Sequence, residues 1–385
     1  MRTLTTTDAL AAFCDECASQ PYVTVDTEFL RERTYYAQLC LVQVAMPGEG
    51  TEGAVLIDTL AEGIDLAPLY DLFRNENVVK VFHAARQDLE IFAVEGNVIP
   101  KPFFDTQVAA MVCGFGEQVG YETLVRKIAR QQVDKSSRFT DWSRRPLSDN
   151  QKTYAIGDVT HLRVVYEELA RQLKETGREA WVEEELAVLM NPDTYIVKPE
   201  NAWKRLKTRT SSQRFLAVAR ELANFREAYA QEKNIPRPRI YKDDALLELA
   251  ANKPKNLHDL GKSRLLRDGR RGEIAEGILA AVKRGVECPQ EDLPEITPQR
   301  EKKQGSEALS DLLRVLLKAK SSGAGVAAKL IATAADLDRI ASEDAPDVAA
   351  LKGWRHEVFG ADALLLKDGK VALSATPDGV KIVPI

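Results

Sequence analysis

Soft metal ligands are scarce in this chain, which holds five cysteines and four histidines in 385 residues. The cysteines, at 14, 17, 40, 113 and 288, are odd in number and widely scattered, which excludes a disulfide-framed scaffold. Cys14-x-x-Cys17 has no second pair to complete a zinc site, so two packed thiols are expected there. No apolar run approaches the roughly 18–20 residues that span a bilayer. Met1–Asp8 likewise lacks the apolar core of a signal peptide. A cytoplasmic protein without membrane partners is therefore expected.

What is present is ordinary in amount and uneven in distribution. Hydrophobic residues at 44% and charged residues at 29% describe a globular chain, and the length suits two or three domains. The net charge of −5 hides a basic stretch: residues 203–290 carry 20 Lys+Arg against 11 Asp+Glu, a balance of +9. The remainder is then at −14, and a basic module on an acidic body points to a polyanionic partner.

The chain is organised around Tyr22-Val23-Thr24-Val25-Asp26-Thr27-Glu28-Phe29. A strand repeats every two residues, so Asp26 and Glu28 face the same side. Two carboxylates held side by side on a rigid strand repel unless a cation lies between them, and hard oxygen ligands suit Mg²⁺ or Mn²⁺. The alternative, a strand end whose acids face water, stays open at this point. A helix over 5–19, capped by Thr7 or Asp8, precedes this strand. Strands at 38–45 and 54–58 follow, then a helix at 66–74, a strand at 78–82 and helices to about 175. This order predicts an α/β domain with a mixed sheet containing an antiparallel meander.

Two further acidic elements follow. Asp88 lies at the start of a helix directly after the strand ending at Phe82, where open α/β sheets place their ligands, although the helix dipole alone would also favour a carboxylate there. Tyr154 and Asp158, four apart on a helix that Ser148 or Asp149 caps, share one face, with Ile156, Val159 and Leu162 as the buried stripe. Gln131–Arg145 is a loop in which Lys135, Arg138, Arg144 and Arg145 interleave with Phe139 and Trp142. Such a pattern suits a single-strand track. His83 and His161 flank the motifs, and a structural hydrogen bond suits each.

Together the three elements resemble the DEDD superfamily of 3′→5′ exonucleases, in its tyrosine-containing branch; the histidine branch would need His where Thr153 stands. The flanks V-D-T-E-F at 25–29, H-A-x-x-x-D-L-E at 83–90, F-D-T-Q at 104–107 and D-W-S-R-R-P-L-S at 141–148 resemble the bacterial ribonuclease D family over roughly residues 1–175. The resemblance implies a ribonuclease H-like fold and two divalent ions, Mg²⁺ or Mn²⁺, held by Asp26, Glu28, Asp88 and Asp158, with Asp26 bridging. It implies that Tyr154 orients the attacking water, and that Phe29 meets the terminal base and Thr27 its sugar. His83, Lys135, Arg138, Trp142 and Arg144 join the expected substrate-binding set.

Beyond a linker at 191–199, residues 203–288 resemble an HRDC helical bundle, on Arg226-Glu227-Ala228-Tyr229-Ala230 and Asp243/Asp244 through Ala250. By position and helicity, residues 300–385 are expected to form a second HRDC-like helical domain ending in a β-hairpin, after a linker at 288–306. The domains expected are thus 1–190, 203–288 and 300–385. The resemblance implies a 3′→5′ exoribonuclease trimming the 3′ ends of precursor tRNAs and releasing nucleoside 5′-monophosphates, and a monomer is expected. A DNA exonuclease in repair or proofreading and a non-catalytic nucleic-acid adaptor are the alternatives.

Overall fold

The computed structural model describes residues 1–385 except 135, 209, 211, 267–270 and 297–304. Its first half is built on a sheet of β1 (Arg2–Leu4), β2 (Tyr22–Leu30), β3 (Gln38–Ala45), β4 (Ala54–Ile57), β5 (Val79–Phe82) and β6 (Phe103–Asp105). The strand order is β1-β4-β3-β2-β5-β6. β2, β3 and β4 form the antiparallel meander, and β1, β5 and β6 add parallel pairs, so the sheet is mixed. β1 and β6 escape a reading of the sequence because three residues are too few to show a period of two.

Alternation along β2 sorts its side chains. Val23 and Val25 are fully buried in the larger core with Leu10 and Phe13 of α1 (Thr7–Cys17) and Phe73 of α2 (Ala67–Arg74). Thr6, one residue earlier than expected, caps α1 through a side-chain bond from the Ala9 N–H. Cys14 and Cys17 are both buried on that helix, where burial pushes the Cys14 thiol up to about 12. The opposite face of β2 meets α6 (Asp149–Thr176). There Ala155, Ile156 and Val159 pack on Leu41, Ala45 and Leu56. α6 starts at a capping box, with the Ser148 hydroxyl accepting from the Gln151 N–H and the Gln151 side chain accepting from the Ser148 N–H. α3 (Arg86–Glu95), α4 (Thr106–Val112), α5 (Tyr121–Leu124) and α7 (Glu179–Leu189) complete this half.

The expected linker at 191–199 is packed: Tyr195 is buried against the first core and donates its hydroxyl to the Leu189 carbonyl. A second core then joins α8 (Gln213–Glu232), α10 (Asp243–Asn252) and α12 (Gly272–Glu287), with the short turns α9 (Arg237–Ile240) and α11 (Leu257–Leu260) between them. Buried Arg226 ties α8 to the following turn by donating to the Tyr241 carbonyl and to Asp243. A third core gathers around α13 (Ser306–Ala324) and Trp354, and ends in a hairpin of β7 (Val371–Thr376) and β8 (Gly379–Pro384). Part of the expected linker at 288–306 lies outside the described residues. The third core docks on the first through Trp181 stacked on Trp354, ring centroids 4.3 Å apart, and through Arg355 paired with Glu184 and Glu185.

Candidate active site

The hydrogen bonds of three backbone segments set the geometry of the site. Asp26 and Glu28 project from the β2 face turned to α6, and a register shift between Glu28 and Phe29 ends the regular pairing there. Asp158 comes from α6, whose backbone is tied to the sheet at this level. The Thr24 hydroxyl donates to the Val159 carbonyl, and the Tyr121 hydroxyl donates to the carbonyls of Gly157 and Asp158. Asp105, at the end of β6, accepts from the N–H groups of Ala84, Ala85 and Gln107. It thereby holds the β5–α3 turn, in which Ala84 takes a left-handed conformation at φ 58°. That turn delivers Asp88 to the same cavity.

One carboxylate oxygen each from Asp26, Glu28 and Asp158 lie within 4.8 Å of one another. Asp88 stands apart from this trio and accepts a short hydrogen bond from the Thr27 hydroxyl. Like charges at this density repel, so the fourth acid takes the nearest donor. The proton of Thr27 is thereby committed to Asp88, leaving only its oxygen to accept from a sugar hydroxyl. Asp26, Asp88 and Asp158 border a cavity of about 540 Å³ that Phe29, His83, Gln87, Tyr121, Arg138 and Tyr154 also line.

Burial, and after it the charges of Asp26, Asp158 and Asp88, pushes the Glu28 carboxyl up to about 10. Burial first, then a neighbouring acid, raises Asp26 and Asp88 as well. Such a cluster calls for positive charge. Its oxygen-only donors suit a hard divalent cation, so the residues fit the group that the sequence motifs imply. Burial and the charges of Asp158, Glu28 and Asp26 raise the Tyr154 hydroxyl, which keeps its proton at neutral pH.

His83 is lowered by burial and stays neutral. Its Nδ1 lies 3.0 Å from Thr106 Oγ1, whose own proton goes to the Phe82 carbonyl. Nδ1 is therefore the donor, and Nε2 carries the lone pair.

The 131–145 loop departs from expectation. Trp142 is 2% exposed and packs with Cys40, Leu41 and Leu147, so its ring is core and offers no face to a base. Arg145 is spent on structure: it grips Asp58 with both Nε and Nη2, at 2.7 and 2.6 Å, and donates to the Trp142 and Cys40 carbonyls. Arg144 is exposed, pairs with Asp141 and stays off the cavity wall. Arg138 lines the cavity, and its charge lowers the Glu28 and Asp158 carboxyls against their burial. Phe139 is 91% exposed beside it. Lys135 lies outside the described residues. Tyr121 lies outside the acidic motifs and Gln87 stands at an unspecified position within one, so neither was picked out in the sequence.

A family model for 3′–5′ exonucleases matches residues 1–174, and one for the HRDC domain matches residues 215–282. A ribonuclease D of Jannaschia sp. (strain CCS1) is 66% identical over 384 residues, covering 100% of this chain and 99% of its own. The chain belongs to the ribonuclease D family of 3′→5′ exoribonucleases. A second ribonuclease D, from Nitrobacter hamburgensis, is 51% identical over 375 residues and 97% of either chain. Among solved structures, Escherichia coli RNase D, an exoribonuclease involved in structured RNA processing, matches at a TM-score of 0.83 and 27% identity over 96% of this chain and 98% of that one. A protein from Bifidobacterium adolescentis shares the fold at a TM-score of 0.70 and 20% identity, over 96% of this chain and 97% of its own. Ribonuclease D belongs to a divalent-metal-dependent exonuclease family, and the acidic cluster here offers the oxygen ligands that such an ion takes. Among the described residues, no helix is long and apolar enough to cross a membrane.

Proposed function

We propose that Asp26, Glu28, Asp88 and Asp158 hold two divalent ions, Mg²⁺ or Mn²⁺, and that this cytoplasmic, monomeric ribonuclease D trims the 3′ ends of precursor tRNAs, releasing nucleoside 5′-monophosphates. The observation carrying this reading is the trio of Asp26, Glu28 and Asp158 within 4.8 Å, with Asp88 on the cavity that Asp26 and Asp158 border. Four carboxylates at this density match two divalent charges. A pair of such ions, when bound, supplies acidity to a water and neutralises charge at the leaving 3′ oxygen.

The chain's own side chains do the rest. Asp26 lies beside Glu28 and Asp158, and its charge also reaches Asp88, so it would share in holding the ions with all three. Asp88 keeps its bond from the Thr27 hydroxyl on Oδ1 and would offer its other oxygen to an ion, so Thr27 acts as its positioning residue. Tyr154, protonated throughout, orients the attacking water through its hydroxyl and takes no proton. Arg138 offers its guanidinium to a phosphate, and Phe29 stacks on the terminal base. His83 Nε2 accepts from a sugar hydroxyl. Phe139, fully presented to solvent, replaces Trp142 as the loop's stacking aromatic. The +9 balance of residues 203–290 supports capture of a large polyanion such as a tRNA precursor.

The test is 5′-labelled RNA and DNA incubated with Mg²⁺ or with EDTA. Stepwise shortening of RNA that EDTA abolishes is the expected result. Asp26→Asn removes the activity while fold and RNA affinity persist. An Asp26→Asn protein that still digests RNA would overturn the ligand assignment, and shortening of DNA alone would overturn the substrate.

A further inference from the structure

A second cavity, of about 680 Å³, opens where the catalytic half meets the HRDC bundle. Four guanidinium groups line it, those of Arg31, Arg86, Arg205 and Arg237, against one carboxylate, Glu90. Glu90 is taken by Arg31 at 2.8 Å. Arg237 leans on buried Glu227 and lies over the Tyr35 ring. Arg86 and Arg205 are exposed and form no ion pair among the described residues. Arg31 Nε is buried without an acceptor, a donor still to be satisfied.

The walls are held in place by hydrogen bonds across the two units. Asn234 Oδ1 accepts from the Tyr35 and Tyr36 N–H groups, both at 3.0 Å, Tyr35 donates its hydroxyl to Glu227, and Gln231 donates to the Val197 carbonyl at 2.7 Å. The cleft is thus formed in advance of any ligand.

Its position gives the occupant. Gln87 and Asp88 border the active cavity while adjacent Arg86 borders the cleft. Phe29 borders the active cavity, and the Arg31 guanidinium lies 5.9 Å above its ring. A strand whose 3′ end sits at the acids meets this row of cations next.

We infer that the cleft is an upstream RNA subsite, which binds the phosphates of the unpaired nucleotides preceding the 3′ end and couples the HRDC bundle to the catalytic site. The inference rests on the exoribonuclease reading above. Guanidinium forks suit phosphate, and the half-buried Tyr36 ring suits an unstacked base.

The test compares the full chain with its Arg86→Ala/Arg205→Ala variant, both exposed positions, on a ribodinucleotide and a ribo-octanucleotide. Turnover of the dinucleotide, too short to reach the cleft, stays within about twofold. The octanucleotide KM rises roughly tenfold, and the slope of log K against log salt, measured in EDTA, flattens by about 1.4, or about 0.7 per phosphate contact. Arg86→Lys/Arg205→Lys restores most of the slope. Equal losses on both substrates, or an unchanged slope, would overturn the inference, the latter leaving the cleft to a protein partner. A wild-type chain that shortens neither oligonucleotide would instead bring down the nuclease reading.

Discussion

Trp142 and Phe139 lie in one loop, and replacing each by alanine should do opposite things. Trp142 is 2% exposed, wedged among Leu41, Leu147 and Ala155, with its ring centroid 6.0 Å from that of Tyr154. Removing a fully buried tryptophan forfeits its transfer energy and leaves a cavity, together about 3–5 kcal/mol. Its Nε1 has no hydrogen-bond partner, so Trp142→Phe gives up no bond and costs only about 1–2 kcal/mol of packing. The cavity would also release Tyr154, so kcat falls while RNA affinity holds. Phe139, at 91% exposed, contributes little to folding, and its alanine variant stays within about 0.5 kcal/mol of the parent. Loss of a stacking ring weakens RNA binding by about 1–3 kcal/mol, or roughly 5- to 150-fold. Urea unfolding followed by circular dichroism, together with RNA titration in EDTA, reads both quantities. A Trp142→Ala protein of normal stability with impaired RNA binding would show that the tryptophan leaves the core to meet substrate, and the reasoning would fail.

Two other expectations rest on single hydrogen-bonded groups. Tyr121→Phe deletes the hydroxyl that holds the Gly157 and Asp158 carbonyls, so stability drops by about 1 kcal/mol and kcat by roughly tenfold or more at unchanged KM; a rise in KM alone would refute the positioning role. Lys80 is fully buried, donates to the Asn75 and Lys101 carbonyls at 2.8 and 2.6 Å, and is pulled down by burial from 10.5 to about 8. Between those pH values the unfolded chain holds the extra proton, so native stability rises with pH. The parent therefore gains at most about 3 kcal/mol over Lys80→Met between pH 8 and 10.5. Parallel stability curves in that window would count against it.

The acidic motifs were legible because their information is local. Asp26 and Glu28 share a face through the strand's period of two, and Tyr154 and Asp158 through the turn of a helix. Other features had no such signal. β1 and β6 are too short to alternate, and Asp105 looks like any loop acid until its backbone donors, Ala84, Ala85, Gln107 and Val108, are seen in space. A loop mixing Arg with aromatics reads the same whether its tryptophan stacks on a base or fills a core.

By itself, then, the sequence determined the family, the candidate acids and the longer helices and strands of the first half, since each follows from residue type and near-neighbour spacing. The tertiary structure alone decided which arginines are spent on carboxylates and which stay free, that Asp88 bonds Thr27 apart from the other three acids, and that a cationic cleft adjoins the catalytic cavity. Those outcomes depend on contacts between residues tens to hundreds of positions apart, such as Tyr35 with Glu227 and Arg145 with Asp58, and no local period encodes them.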